Sequence, residues 1–444
     1  MVATTVTSTV DSRTPTASSK AISTVTVDPM VGSKAVRYAN RVYEEMSKRS
    51  TLLKKAHKTE SSTPYNHHYE DVIPTKSQLS STFVAPFDRQ EILPYIGDLL
   101  GKGGFNSVYE IERIHLKDTD EDDDDDVIFD EQVQHKKLMI QKNVSKMAIK
   151  YLSSDAYNSI EDACNGSADL YMEAQYLTAL TQNHPHPNII QIHGISNVGS
   201  AGLSKYGGYF IIIDRLYDTL DRRIDIWKEL QRRKCDSTDD SDSASVQKYL
   251  KVLFIQRLLV TYEIISAVRH LHSLKIIFRD LKPDNIGFDY QNKVKIFDFG
   301  LAKELDPKQQ LSNSKQELYS MSGGTGSRRF MAPEVALSQP YGLSADLYSF
   351  GIVAWEIFAL EKAFGHLSVE QHQELVINGT DRPPISSDWT VGVKEILTGC
   401  WDHNTSHRPC AGTVERLIQK EISNMVALNF PAQAVANKKK AGLK

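Results

Sequence analysis

Ile277-Phe278-Arg279-Asp280-Leu281-Lys282-Pro283-Asp284-Asn285 is the stretch on which the reading of this chain turns. An amphipathic helical run leads into it, with Leu258, Tyr262, Ile265 and Val268 on one face from Ile255 onward. A strand-like run follows and ends at Asp298-Phe299-Gly300. One short loop therefore carries an Asp, a Lys two residues on and an Asn five residues on, with a second Asp at the end of a hairpin. Phosphoryl transfer needs such a set. One carboxylate orients a hydroxyl nucleophile, a cation meets the moving phosphoryl group, and an amide with a carboxylate serves Mg²⁺. Each residue alone has an ordinary explanation as a turn Asp, a surface Lys or a loop-capping Asn.

The chain as a whole sets the bounds. Its 444 residues, 40% hydrophobic and 24% charged, have an ordinary globular composition with room for a two-lobed domain and tails. A net charge of −4 argues against a general nucleic-acid binder. Four scattered cysteines, Cys164, Cys235, Cys400 and Cys410, suit a reducing compartment. No apolar run approaches the ~20 residues of a membrane span, and the N-terminus lacks the apolar core of a secretory signal. Its Ser/Thr-rich, acid-poor start resembles a transit peptide but carries too few arginines. The expected location is the cytoplasm, with the nucleus second.

Working outward on the N-terminal side, Leu99-Leu100-Gly101-Lys102-Gly103-Gly104-Phe105-Asn106-Ser107-Val108-Tyr109 reads as strand, Gly-rich turn, strand. Glycines let a backbone approach phosphates and aim N–H groups at them, although a plain hairpin turn reads the same. Lys146-Met147-Ala148-Ile149-Lys150-Tyr151 alternates as a strand. Leu170, Leu177 and Leu180 recur at helical spacing with Glu173 between them. His186-Pro187-Asn188-Ile189-Ile190 leads into a strand ending at Ile192, and residues 209–216 read as a continuous buried strand. Order is expected to begin near Ile92. Residues 1–26 are almost wholly Ser, Thr, Val and Ala, with little to bury; a short helix over 35–55 is the one element expected in the tail. The run 118–126, with Asp122 to Asp126 in series, reads as a solvated insertion between two strands. The polar stretch from Lys234 to Ser243 reads as a loop between helices.

In kind and order, the loop around Asp280, the Asp298-Phe299-Gly300 triplet, the Gly-rich turn, Ala148-x-Lys150 and Glu173 resemble the signature set of eukaryotic protein kinases. The resemblance covers about residues 92–425. It implies an α+β, two-lobed protein kinase fold: a small β-rich N-lobe with one helix (about 91–213) and a larger, mainly helical C-lobe (about 217–425). ATP and Mg²⁺ would lie between the lobes. A disordered tail over 1–90, acidic inserts at about 117–131 and 232–246, and a basic tail over 426–444 surround or interrupt that domain. Asp280 would orient the substrate hydroxyl, Lys282 would neutralise the moving phosphoryl group, and Asn285 with Asp298 would hold Mg²⁺. Lys150, paired with Glu173, would hold the α- and β-phosphates. Gly101 and Gly103 would lie over the phosphates, with Val108 and Ala148 at the adenine. Backbone groups of Asp214 and Leu216 would read the adenine edge beside a gatekeeper, Ile213.

Three positions depart from the family pattern. Asn106 stands for the third glycine of the turn; Asn tolerates positive φ, so a stiffer loop is expected. Phe278 stands for the His before Arg-Asp, and would fill a hydrophobic column with Phe299, Leu177 and Ile192. Gly287 stands where a large apolar residue underlies adenine, which predicts looser nucleotide packing. The alternatives are a pseudokinase acting as a scaffold and a metabolite kinase on a related fold.

The remaining expectations also come from the resemblance. Residues 298–334 would form an activation loop with Ser312, Ser314, Tyr319, Ser320, Ser322 and Thr325, and Arg279 would receive a phosphate placed there by an upstream kinase. The segment 326–334, ending in Ala332-Pro333-Glu334, would dock protein substrates, and Glu334 would pair with Arg408. Asp346, in the run 344–351 followed by Trp355-Glu356, resembles the central helix that anchors the catalytic loop, and the wording Tyr348-Ser349-Phe350-Gly351 with Trp355-Glu356 resembles the tyrosine-kinase-like branch. Lys282 and Ser327 point to Ser/Thr acceptors. Cys400, His403, His407 and Cys410 mimic zinc spacing, but the resemblance places them in helical packing. The closing Lys438-Lys439-Lys440 and Lys444 read as a solvated basic end, with a weak import or anionic-surface signal as the alternative.

Overall fold

A computed structural model of the chain describes residues 84–116, 134, 136–137, 140, 144–197, 208–236, 243–311 and 317–429. The helix expected over 35–55, the acidic run 117–131, Ser312, Ser314 and the basic residues 438–444 lie outside the described residues.

Six strands form the first sheet, in the order β1-β5-β6-β4-β3-β2. They are β1 (Ala85–Phe87), β2 (Ile96–Lys102), β3 (Asn106–Ile111), β4 (Met147–Leu152), β5 (Ile192–Ser196) and β6 (Phe210–Asp214). The β1–β5 pair is parallel and the rest are antiparallel. Alternation in β4 does the positioning. Met147, Ile149 and Tyr151 join Phe87, Phe210 and Ile212 in one core. Ala148 and Leu152 face the other core, with Ile211, Ile213, Leu170 and Leu177. A period of two therefore puts Lys150 on the Ala148 face.

The ordered chain reaches back further than Ile92. Val84, Ala85 and Phe87 are buried, and the Phe87 ring lies 2.6 Å from where a Cβ on Gly194 would stand. A glycine far along the chain makes room for this edge strand, so no local pattern announces it. The strand expected to end at Ile192 begins there instead. Ile189 and Ile190 are taken up by the second lobe: Ile190 N–H donates to the Ile296 carbonyl at 3.0 Å, and Asn188 Nδ2 donates to that of Val294 at 3.0 Å.

Helix α1 (Ile160–Asn183) starts at an N-cap Ser159, whose hydroxyl accepts from Asp162 N–H at 3.3 Å. The larger lobe holds β7 (Asp218–Thr219), α2 (Leu220–Asp236), α3 (Ser243–Ser273), β8 (Ile276–Ile277), β9 (Ile286–Phe288), β10 (Val294–Ile296), β11 (Lys303–Glu304), α4 (Ser344–Ala359), α5 (Val391–Cys400) and α6 (Ala411–Asn429). Helices α2 and α3 extend into the stretch 232–246 from both sides, so the interruption is shorter than expected. Glu229 supports the last turns of α2 through Arg232 at 2.9 Å and Arg233 at 2.6 Å.

Every residue of α4 from Ala345 to Phe358 is buried, which makes it the axis of the lobe. Glu356 shares that burial, 2% exposed, with Ala363 N–H donating to Oε1 at 2.7 Å. Burial pushes its pKa up to about 7. A carboxyl raised in the folded state gives stability that is full below about 4.5 and is lost as pH rises to about 7. Glu356→Gln is therefore expected to stabilise the protein by about 3 kcal/mol at pH 8 and by nothing at pH 4. Urea melts at the two pH values check this; an equal effect at both would contradict it.

Candidate active site

The loop around Asp280 is hung from α4. Asp346, 1% exposed, accepts Phe278 N–H through Oδ2 and Arg279 N–H through Oδ1, both at 2.9 Å, and pairs with His272 Nε2 at 2.9 Å. Those bonds hold Arg279 at φ 69°, a left-handed conformation that an Arg adopts only when its surroundings insist. The Arg279 side chain then reaches the Leu301 carbonyl at 2.6 Å and Ser322 Oγ at 3.1 Å.

Within the loop, Asp280 gathers three donors. Oδ1 accepts Ser327 N–H at 2.8 Å, while Oδ2 accepts Lys282 Nζ at 2.8 Å and Asn285 Nδ2 at 2.9 Å. Asn285 Nδ2 also donates to the Asp280 carbonyl at 3.0 Å. With its nitrogen committed, the amide turns its oxygen the other way. Lys282 Nζ also bonds Ser327 Oγ at 2.8 Å, which ties the loop to the 326–334 segment.

Across the cleft, Lys150 Nζ lies 2.6 Å from Glu173 Oε2 and 3.4 Å from Asp298 Oδ1. Burial works against the ammonium, but the Asp298 and Glu173 carboxylates outweigh it and raise the Lys150 pKa. The Lys150 charge in turn holds Asp298 below the usual carboxylate range. Asp298 stands at φ 70°, followed by Phe299, whose ring meets Phe278 edge-on at 5.1 Å. Phe278, Phe299, Leu177 and Ile192 are all buried in one cluster, as the hydrophobic column requires.

The strand register places the other expected residues. Val108 pairs with Lys150, and Ala148 with Ile213. The side chain of Asp214 is engaged by His193 at 2.8 Å, Lys295 at 3.0 Å and Gln191 N–H at 3.0 Å. Burial opposes the charge, yet these partners bring its pKa down to about 2. Leu216 explains Gly287. A Cβ on Gly287 would stand 2.6 Å from Leu216 Cδ1 and 3.2 Å from the Asp218 carbonyl, so Leu216 fills the space that the sequence leaves empty.

Gly101 and Gly103 lie in the β2–β3 hairpin, closed by Gly103 N–H to the Asn106 carbonyl at 2.8 Å. A Cβ on Gly101 or Gly104 would meet nothing within 4 Å, which leaves the hairpin open to close approach. Asn106 is not at positive φ; it is the first residue of β3, so its tolerance of that region is not what the fold uses. The hairpin tip rests on α1. Phe105 occupies the dent at Gly166, with its Cβ 2.5 Å from where a Gly166 Cβ would stand, and Ser153 N–H donates to the Phe105 carbonyl at 2.8 Å. Lys102 pairs with Asp155 beside it.

Sequence reasoning missed Asp169, one turn before Glu173 on α1. Burial raises its pKa, and the charge of Asp298 adds to that. An acid four residues before Glu173 was the available signal.

In the 326–334 segment, Glu334 and Arg408 form a two-point pair at 2.6 and 2.9 Å, with the Arg408 side chain fully buried. Tyr319 is buried and bridges Gln310 and Tyr341, whereas Ser320 and Ser322 are exposed. Cys400 is buried, which pushes its thiol up to about 12, while His407 sits 3.5 Å from Asp402 and Cys410 3.4 Å from Thr413. Among the described residues, no group of three or more His, Cys, Asp or Glu is arranged to hold a metal.

A family model described as "Protein kinase domain" matches residues 133–421. The match starts after the Gly-rich hairpin, so Gly101, Gly103 and Val108 lie outside it. Among similar proteins is "Dual specificity protein kinase shkB" of Dictyostelium discoideum, 34% identical over 167 residues, which are 37% of this chain and 24% of that protein. "Serine/threonine/tyrosine-protein kinase HT1" of Arabidopsis thaliana is 30% identical over 158 residues, 36% of this chain and 38% of that protein. "Serine/threonine-protein kinase STY17" of the same plant is 33% identical over 165 residues, 37% of this chain and 27% of its own length. The chain thus spans well under half the length of these relatives.

Proposed function

The chain belongs to the protein kinase domain family, and from that premise we propose that it transfers the γ-phosphoryl group of ATP, with Mg²⁺, to Ser and Thr hydroxyls of protein substrates. One observation carries the proposal: Lys150 joins Glu173 at 2.6 Å and Asp298 at 3.4 Å, and Lys282, bonded to Asp280 at 2.8 Å, lies close enough for its charge to act on the same Asp298. An ionised Asp298 and the turned-out amide oxygen of Asn285 are hard oxygen donors of the kind Mg²⁺ prefers, and these two would hold it. When bound, the ion would neutralise charge between the phosphates.

This chain's residues do the rest. Lys150 would place the α- and β-phosphates, and Lys282 would meet charge on the moving group. Asp280 would accept the hydroxyl proton from an acceptor seated near Ser327. Catalysis of this kind is positioning and electrostatics more than covalent chemistry. Arg279, 3.1 Å from the exposed Ser322 hydroxyl, would hold a phosphate on Ser322 and order the loop.

The test is transfer from labelled ATP to a peptide library that presents Ser, Thr or Tyr alone, with sites mapped on the enzyme too. Label on Ser and Thr, and on Ser322, is expected. Label on Tyr as well would replace Ser/Thr specificity by the dual specificity named for some relatives, and none at all would remove the activity. A tagged full chain should be found in cytoplasm or nucleus; a membrane-bound pool would contradict that proposal.

The Leu216–Gly287 contact gives a second expectation. Gly287→Ala is expected to destabilise the fold by about 1–3 kcal/mol through overpacking, read by urea unfolding. Leu216→Ala in the same chain should recover most of it. No recovery would mean that the two side chains do not share the space.

A further inference from the structure

A cavity of about 790 Å³ opens in the larger lobe, between α2, α3, the end of α4 and the loop before α5. None of the residues placed at the cleft lines it. Phe254, Trp355, Phe358 and Trp389 form its apolar walls, with the Phe254 and Phe358 rings 5.4 Å apart and those of Phe358 and Trp389 6.2 Å apart. Arg257 lines the same space and is only 6% exposed. Its Nη1 donates to the Phe358 carbonyl at 3.3 Å and its guanidinium lies 5.4 Å from the Phe254 ring centre. Its Nε has no partner among the described residues.

Buried arginines are normally paired, because an uncompensated charge in a low-dielectric interior is costly. Burial draws the Arg257 pKa down to about 10, with no acidic group acting on it. A cation kept at such a cost beside four aromatic rings has the makings of a ligand site. The volume falls within the range of small-molecule pockets, which combine apolar walls with a few fixed polar groups.

We propose that this cavity binds a small organic carboxylate, its anionic end on Arg257 and its apolar body between the aromatic rings. The charge is single. Lys251, Glu361 and Asp388 also line the cavity but are exposed at its rim, so Arg257 is the one buried cation of the lining and one negative charge suits it better than two. A planar guanidinium edge matches one carboxylate.

The test is calorimetry on the full chain with 2-naphthoate and with dodecanoate, each beside its neutral amide. At least one acid is expected to bind about tenfold tighter than its amide, the worth of one charge-assisted hydrogen bond. Arg257→Met should abolish that preference. Arg257→Met also removes the donor to the Phe358 carbonyl, so the variant is expected to melt slightly lower while binding acid and amide alike. Leu250→Trp, which keeps Arg257 but narrows the cavity, should weaken acid and amide together. Equal binding of acids and amides, no binding of either acid, or a preference that survives Arg257→Met would overturn the proposal. Should Arg257→Met fail to fold, the acid-over-amide ratio in the parent and the parallel weakening of acid and amide in Leu250→Trp decide the matter.

Discussion

Asp280→Asn is expected to lower kcat by about 10²–10⁴-fold, the usual worth of a positioned general base, while the KM for ATP stays near that of the parent. The substitution is nearly isosteric. An asparagine can keep an oxygen toward Ser327 N–H, now 2.8 Å from Oδ1. It would present an amide nitrogen toward Lys282 Nζ and Asn285 Nδ2, which now donate to Oδ2. The proton acceptor is lost and the Lys282–Asp280 attraction with it, but Lys150, Glu173 and Asp298 are untouched. Steady-state kinetics on one peptide substrate reads the result. A variant retaining more than about a tenth of kcat would remove Asp280 from the proton-accepting role.

Arg408→Met is expected to destabilise the fold by about 3–5 kcal/mol, the cost of leaving one partner of a buried ion pair alone. Glu334 is 5% exposed, and its carboxylate receives both guanidinium bonds. Without Arg408 it must stay charged and unpaired or take up a proton. Replacing both partners, Arg408→Met with Glu334→Leu, should recover much of the loss, since well-packed apolar side chains often match a buried pair. Chemical denaturation of the single and double variants measures this. A double variant as unstable as the single one would show that the Asp402 and Ser344 carbonyls, which also accept from Arg408 at 2.9 and 3.1 Å, matter more than the charge.

The loop around Asp280 was legible in the sequence because its polar groups are packed within a few residues, and Asp346 and Glu334 carried equally distinctive neighbours. The helix bearing Glu173 was legible from leucine spacing. What escaped depends on residues that meet only in space. Phe87 finds its place because Gly194 has no side chain, Phe105 because of Gly166, and Leu216 because of Gly287. A lone glycine reads locally as a turn or a weak point, and gives no hint of the side chain that will occupy its missing volume. Asp169 escaped for a similar reason, since its environment is set by Asp298 far along the chain. The unpaired state of Arg257 could not be foreseen, because periodicity shows that a position is covered but not what answers its charge.

Strands β3 and β4 remain matched residue for residue from Asn106 with Leu152 to Glu110 with Ala148, although the chain between them runs from Glu112 to Lys146. The entropy of closing a flexible connection grows only with the logarithm of its length, about 0.6 kcal/mol for each doubling. A hairpin can therefore host a long acidic passenger at small thermodynamic penalty, provided that the ladder on either side stays intact. Distance along the chain and distance in the sheet become uncoupled, and the first hairpin still lies beside Lys150.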